Sequence, residues 1–370
     1  MGITVVGLGP GDGRLLTREA WELLSNAAEL YVRTARHPAV GDLPESLTVH
    51  SFDHIYDQSE KFEDVYSEIV SVLIAKAAAG PLIYAVPGNP FMGESTVLML
   101  QKAAQAQQIG VQVVAGLSYI EPCLAAVGVD GMEGLQLHDA LTVAAQDYPQ
   151  VNGDHPLLIG QVFSRLMASD LKERLTLIYP DEHPAYLIHS AGMPDQQVEE
   201  IALFEIDHSE SINHLTSLYI PPLPQKSDMV ALAEAIATLR APGGCPWDQK
   251  QTPQSMRVGW LEEVCVVLDA IDRDESADIC EELGDVLLHV TMQAQMASEA
   301  GEFTLSDVIA GIYAKLIRRH PHVWGTTAVD GSDDVVINWE AIKAQEKSSA
   351  GKPVDDSLLT NIPVALPALA

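Results

Sequence analysis

The chain has 370 residues, 47% of them hydrophobic, and a mean hydropathy of +0.08, which is enough for two or three domains with cores of their own. Its formal net charge is −31, from 52 acidic against 21 basic residues, a field that repels polyanions and argues against a nucleic-acid polymer as partner. No segment approaches the ~20 apolar residues of a membrane span, and Met1-Gly2-Ile3-Thr4 lacks a basic leader. Cys123, Cys245, Cys265 and Cys280 form no CxxC pair, so the expectation is a cytoplasmic chain with reduced thiols.

The first 115 residues alternate short apolar strands, predicted at 3–7, 29–32, 47–52, 82–86 and 111–115, with amphipathic runs at 15–28 and 62–79. Alternation of this kind predicts a parallel α/β sheet. From about 140 to 220 the apolar runs come closer together, at 141–144, 157–162, 175–179, 185–189 and 200–206, and predict a second, more antiparallel α/β lobe. Tyr219-Ile220-Pro221-Pro222-Leu223-Pro224 cannot continue a helix and marks a linker over 221–227. Beyond it the pattern is helical, at 227–240, 253–272, 277–300, 306–319 and 338–347, an all-α module.

Gly7-Leu8-Gly9-Pro10-Gly11-Asp12 follows the first strand, yet the dinucleotide fingerprint fails: Asp12 stands at the third glycine position, and Arg33 follows the second strand where an acid belongs. No Gly-Lys-Ser/Thr follows either, which removes a phosphate-binding P-loop. The segment resembles the tetrapyrrole (corrin/porphyrin) methylase family. The resemblance rests on this loop, on Val86-Pro87-Gly88-Asn89-Pro90-Phe91, on Ala115-Gly116-Leu117-Ser118-Tyr119 and on His189-Ser190-Ala191-Gly192-Met193-Pro194-Asp195-Gln196. It covers 1–220 and implies two α/β lobes, about 1–116 and 117–220, with S-adenosylmethionine in the cleft between them. The cofactor-binding residues it implies are Gly9, Pro10, Gly11, Pro87, Gly88, Asn89, Pro90, Gly116 and Ser118. Many family members carry Asp where this chain has Asn89. The alternative is a set of tight turns kept by a domain that no longer methylates.

Two acidic segments stand out in the helical part, Glu262-Glu263-Val264-Cys265-Val266 and Glu281-Glu282-Leu283-Gly284-Asp285. Helical positions three or four apart share a face, so Glu282 and Asp285 point together, and antiparallel packing of the two helices brings Glu263 to them. Three carboxylates converging in this way suit Mg²⁺, with Mn²⁺ as the alternative. A solvated acidic face is the other reading. The apolar neighbours Val264, Val267, Leu268, Ile271, Leu283, Val286, Leu287 and Val290 argue against it, because buried carboxylates need a cation or a basic partner. His289 reads as a polar neighbour of the site.

The helical part resembles a MazG-type nucleoside triphosphate pyrophosphohydrolase over roughly 228–370. Besides the second acidic segment, the resemblance rests on Leu239-Arg240-Ala241-Pro242-Gly243-Gly244-Cys245-Pro246-Trp247-Asp248, on Arg318-Arg319-His320-Pro321-His322-Val323-Trp324-Gly325 and on Trp339-Glu340-Ala341-Ile342-Lys343. It implies cleavage of a nucleoside triphosphate to the monophosphate and pyrophosphate, with Glu262, Glu263, Glu282 and Asp285 as the catalytic acids and Glu263, Glu282 and Asp285 as metal ligands. The family pattern has a further Glu where this chain has Val266, which implies a weakened site. Lys250, Arg257, Arg319 and Lys343 are the candidate phosphate contacts, and Trp247 the candidate base contact. The family also implies at least a homodimer, and a further helix beyond Ala370.

The order of the two parts resembles the YabN-type fusion. Its rivals are a non-hydrolytic nucleotide or adenosylmethionine sensor, and a chain in which only the methylase part, with an unidentified methyl acceptor, is active.

Overall fold

The computed structural model describes residues 2–349 other than 57, 59 and 60; the side chains of residues 62, 63 and 347, and the 350–370 end expected for the helical module, lie outside the described residues. The chain divides into two compact units at Asp228/Met229. Among the described residues, no helix is long and apolar enough to cross a membrane.

The first lobe runs β1 (Gly2–Gly7), α1 (Arg18–Ser25), β2 (Glu29–Val32), β3 (Thr48–Ser51), α2 (Asp53–Tyr56), α3 (Phe62–Ala77), β4 (Leu82–Val86), α4 (Ser95–Ala106) and β5 (Gly110–Val114). Its five strands form one sheet in the order β3-β2-β4-β1-β5, paired in parallel throughout. Successive side chains of a strand face opposite sides of a sheet. Val5 and Tyr84 accordingly pack with Ile69 and Leu73 of α3 and Leu100 of α4, whereas Val6 and Ala85 pack with Ala20 and Leu24 of α1. A sheet covered on both faces requires near-continuous apolar strands at its centre, which explains why β1, β2 and β4 are legible from their apolar runs.

The second lobe continues α5 (Ile120–Val127), β6 (Gln136–Asp139), α6 (Ala140–Ala144), β7 (Leu157–Gly160), α7 (Arg165–Leu175), β8 (Pro184–His189), β9 (Gln197–Ala202) and β10 (Thr216–Ile220). The sheet order is β6-β7-β10-β8-β9, with β6–β7 parallel and the other three pairs antiparallel. Two expected strands are not strands. The 141–144 run is α6, started by Asp139, whose carboxylate accepts the Thr142 N–H at 3.2 Å. The 175–179 run is the end of α7 and the turn after it, because Ala168, Leu171 and Leu175 carry the 3–4 spacing of a buried helix face. The 200–206 run holds only the end of β9 before a 3₁₀ turn over Leu203–His208. Conversely β10, which is not among the expected apolar runs, is the buried centre of the sheet between β7 and β8.

The chain after β10 is not a loose tether. Asp154 accepts hydrogen bonds from the Ser227 N–H at 2.7 Å and the Asp228 N–H at 3.3 Å, and the Leu223 N–H donates to the Gly153 carbonyl at 2.8 Å.

The second unit is helical: α8 (Met229–Arg240), α9 (Arg257–Arg273), α10 (Ser276–Glu299), α11 (Leu305–Arg319), α12 (Pro321–Trp324) and α13 (Ser332–Ser349), the last longer than the 338–347 expected. Asp274, with φ at 57°, turns α9 back into α10, and Arg273 grips Asp269, Glu275 and Asp278 around that turn. Its core is small: Ile236, Met256, Met292 and Met296, with Leu232, Trp260 and Leu288 against them. Val264, Leu268, Ile271, Leu283 and Leu287, expected to be packed, are exposed in the single chain.

Candidate functional site

Parallel pairing aligns the C-terminal ends of β4, β1 and β5, with Gly7 opposite Val86 and Val6 opposite Val114. The three loops that follow therefore emerge side by side, which is where ligands bind in open α/β sheets. Glycine is required where they touch. A Cβ on Gly116 would lie 2.4 Å from the Gly88 carbonyl oxygen, and one on Gly7 2.6 Å from the Gly116 nitrogen. Gly9 and Gly88 exchange backbone hydrogen bonds of 3.2 and 2.7 Å. Asn89 donates to the Gly116 carbonyl at 2.9 Å while its Oδ1 accepts the Phe91 N–H at 3.0 Å. An ionised Asp could not make the first of these bonds, so Asn89 ties two loops together by a means unavailable to the acid.

A cavity of about 490 Å³ opens between the lobes of the first unit, lined by Pro10, Pro87, Gly88 and Asn89 from one side and by Tyr119, Cys123, Gln161 and Leu215–Ser217 from the other. Gly88 has φ at 65° and open space where a Cβ would sit, so backbone faces the cavity directly. Gly9, Gly11, Pro90, Gly116 and Ser118 are not among the lining residues. Ser118 is buried and donates its N–H and hydroxyl to Glu121, starting α5.

The remaining wall was not legible in sequence: Arg33, Arg36, His37 and His214, with no Asp or Glu among the lining residues. Arg33 is held from behind by Glu94 and donates to the Tyr56 hydroxyl at 2.8 Å. His37 is 7% exposed, and its Nδ1 has no hydrogen-bond partner. Burial pulls its pKa down to about 4, with the His214 charge adding to the fall and a hydrogen bond to the Gly9 backbone opposing it.

In the second unit, α9 and α10 bring Glu263, Glu282 and Asp285 together, with one carboxylate oxygen from each within 4.8 Å of the others. Glu263 and Glu282 are half-buried and Asp285 is exposed, so burial alone does not force a cation on them. Loss of hydration, then the charges of Asp285, Glu263, Glu281 and Asp278, push the Glu282 carboxyl up, and a divalent cation would relieve that crowding. Val266 lies half-buried one turn beyond Glu263 and offers no oxygen; Glu262 is exposed. His289 is buried against Trp260, at 5.3 Å between ring centroids, and against Gly259, where a Cβ would come within 2.9 Å of the imidazole.

The candidate phosphate contacts differ in availability. Arg319 is spent on Glu346 at 2.6 Å and lies over the Trp339 ring, and Lys343 pairs with Glu340 at 3.2 Å. Arg318 shares Glu346, and the two arginines hold that carboxyl at about 2. Arg257 and Lys250 have no side-chain hydrogen bond or ion pair among the described residues, and Arg257 stands six residues, about 9 Å, before Glu263 along α9.

Trp247 is exposed on a loop clamped by Arg240, whose side chain is paired with Glu299 at 2.7 Å and donates to the Asp248 carbonyl at 2.6 Å. Glu299 is 14 residues beyond Asp285, about 21 Å along α10. The structure therefore gathers the acids and leaves Trp247 and Lys250 with the far end of that helix.

The tetrapyrrole (corrin/porphyrin) methylase family model matches residues 2–207, and the model of the MazG nucleotide pyrophosphohydrolase domain matches residues 251–324. YabN of Bacillus subtilis is 39% identical over 373 aligned residues, covering 100% of this chain and 75% of YabN. The chain belongs to the tetrapyrrole methylase family and is a YabN-like fusion with a MazG domain. The fusion is also similar in its helical part to a nucleoside triphosphate pyrophosphohydrolase of Escherichia coli, at 45% over 132 residues, 35% of this chain and 49% of that protein. A Thermotoga maritima nucleoside triphosphate pyrophosphohydrolase/pyrophosphatase MazG is 47% identical over 116 residues, 31% of this chain and 44% of that protein. The fusion thus spans about half the length, or less, of these two pyrophosphohydrolases. The 251–324 match contains the whole carboxylate trio.

Proposed function

We propose that the helical module hydrolyses nucleoside triphosphates to the monophosphate and pyrophosphate, with Mg²⁺ held by Glu263, Glu282 and Asp285 and with Mn²⁺ able to replace it. The observation that carries this reading is the meeting of those three carboxylates inside the MazG-matched segment. The donors fit the ion: hard, anionic oxygens, close together, on two helices braced by Arg273. When bound, the cation supplies neutralisation of phosphate charge and an activated water. The chain's own residues hold the acids in register, and Arg257, exposed and without an ion pair among the described residues, is the candidate phosphate contact that shares α9 with Glu263.

Val266 removes a ligand oxygen that the family pattern has, so turnover is slower than in a four-carboxylate site, because metal charge acts mainly on the transition state. The exposed Leu268, Leu283 and Leu287 fit a second copy of the chain, and light scattering should give a dimer or larger. We place the protein in the cytoplasm, in keeping with four free cysteines.

In the methylase-like unit the interlobe cavity fits S-adenosylmethionine: apolar walls, bare backbone at Gly88, and the amide of Asn89 among the polar groups. Calorimetry with adenosylmethionine tests this site separately. For the helical site, pyrophosphate release is measured across a triphosphate panel with Mg²⁺, Mn²⁺ or chelator. Metal-dependent release that is lost in Glu282→Gln supports hydrolysis. Tight nucleotide binding without release would favour the sensor reading, for which Val266 is the supporting residue.

A further inference from the structure

We infer that, without nucleotide, the carboxylate trio retains a single divalent cation, and that further metal enters only with the phosphates of the substrate. This deepens the hydrolase reading and rests on it for the identity of the site.

Three carboxylates converge here; the acids beside them in sequence, Glu262 and Glu281, project about 100° around their helices from Glu263 and Glu282, and the other neighbouring groups are committed or apolar. Asp278 is tied to Arg273 at 2.8 Å, His289 is buried against Trp260 and Gly259, and position 266, one turn from Glu263, carries an isopropyl group. Two divalent ions side by side repel with four times the energy of two unit charges at the same distance, and only bridging or flanking anions offset that. Glu263, Glu282 and Asp285 carry three negative charges at most, fewer than the four positive charges of two ions. One ion leaves the cluster anionic and satisfied; a second leaves it cationic against the apolar Val266. Mg²⁺ is commonly held by one or two carboxylates with waters and substrate phosphates, so the triphosphate itself is the natural source of the missing donors.

The test counts ions on the full chain. Mn²⁺ binding is followed by the loss of its free paramagnetic resonance signal, in salt high enough to screen the acidic surface. The count in a Glu282→Gln, Asp285→Asn double variant is subtracted as the contribution of that surface. The expected result is one Mn²⁺ per chain, rising to two in Val266→Glu, and rising in the native chain when a triphosphate with a non-hydrolysable α,β bridge is added, beyond the metal the nucleotide binds alone.

Two ions on the native chain without nucleotide, or none, would overturn the inference. If that count of two fell to one in Glu262→Gln, the neighbouring glutamate would be taking the place of the absent one. The native count decides the matter even if Val266→Glu does not fold. One bound ion with no pyrophosphate release would sink the hydrolase reading while leaving the count intact; release with two ions would do the reverse.

Discussion

The two units build their candidate sites from opposite materials. In the first, the cavity is shaped largely by backbone: Gly7 and Gly116 leave no room for a side chain where they meet the Gly88 backbone, and the sheet beneath them is buried on both faces. In the second, the site is three side chains on a helical hairpin whose core is small and whose apolar face is open. A backbone site tolerates changes of side-chain chemistry but not of volume. A side-chain site responds in the opposite way, since one lost oxygen alters the chemistry while the helices stand.

The largest expected effect tests the side-chain half of that contrast. Glu282→Gln keeps the volume and removes a ligand charge, and pyrophosphate release should fall by roughly a thousandfold, about 4 kcal/mol in barrier, with the circular dichroism unchanged. A fall of less than tenfold would mean that the trio does not carry the chemistry.

Next in size is a pH effect confined to the first unit. His37 is held neutral by burial, with its pKa pulled down to about 4 from an ordinary 6.5. Above pH 6.5 the group is neutral folded or unfolded, and its contribution is complete. Between 6.5 and about 4 the unfolded chain takes the proton first, so stability falls, by ~3 kcal/mol across the window. Denaturant unfolding of the first unit at stepped pH should show that slope, and His37→Gln should flatten it.

A third change probes volume. Gly116→Ala places a methyl 2.4 Å from the Gly88 carbonyl and should cost about 2 kcal/mol, read as a lower Tm of the first unit and weaker adenosylmethionine binding. The smallest effect should come from Trp247→Ala. Its loop is fastened about 21 Å along α10 from Asp285, so KM for triphosphates should move by less than about threefold within one chain. A larger rise would show that the indole reaches a site through a second copy.

Much of this architecture can be read without coordinates. Strands β1, β2 and β4 were legible because a doubly covered parallel sheet needs unbroken apolar runs, and the Glu282–Asp285 pair because i, i+3 spacing on a helix has only one geometric outcome, whereas Glu263 joins them only through the packing of α9 on α10. Short apolar runs such as 141–144 were misread because four residues carry no period by which helix and strand differ.

What the order of residues determined by itself was the two-part plan, the glycine loops and the pairing of Glu282 with Asp285, since each depends on neighbours within a few positions. What only the tertiary structure decided was which distant groups meet. Arg33, His37 and His214 come to one cavity wall, Glu346 claims Arg318 and Arg319, and Glu299 with Arg240 draws Trp247 away from the acids. Long-range pairings of this kind follow from how sheets and helices pack, and no local spacing in the chain encodes them.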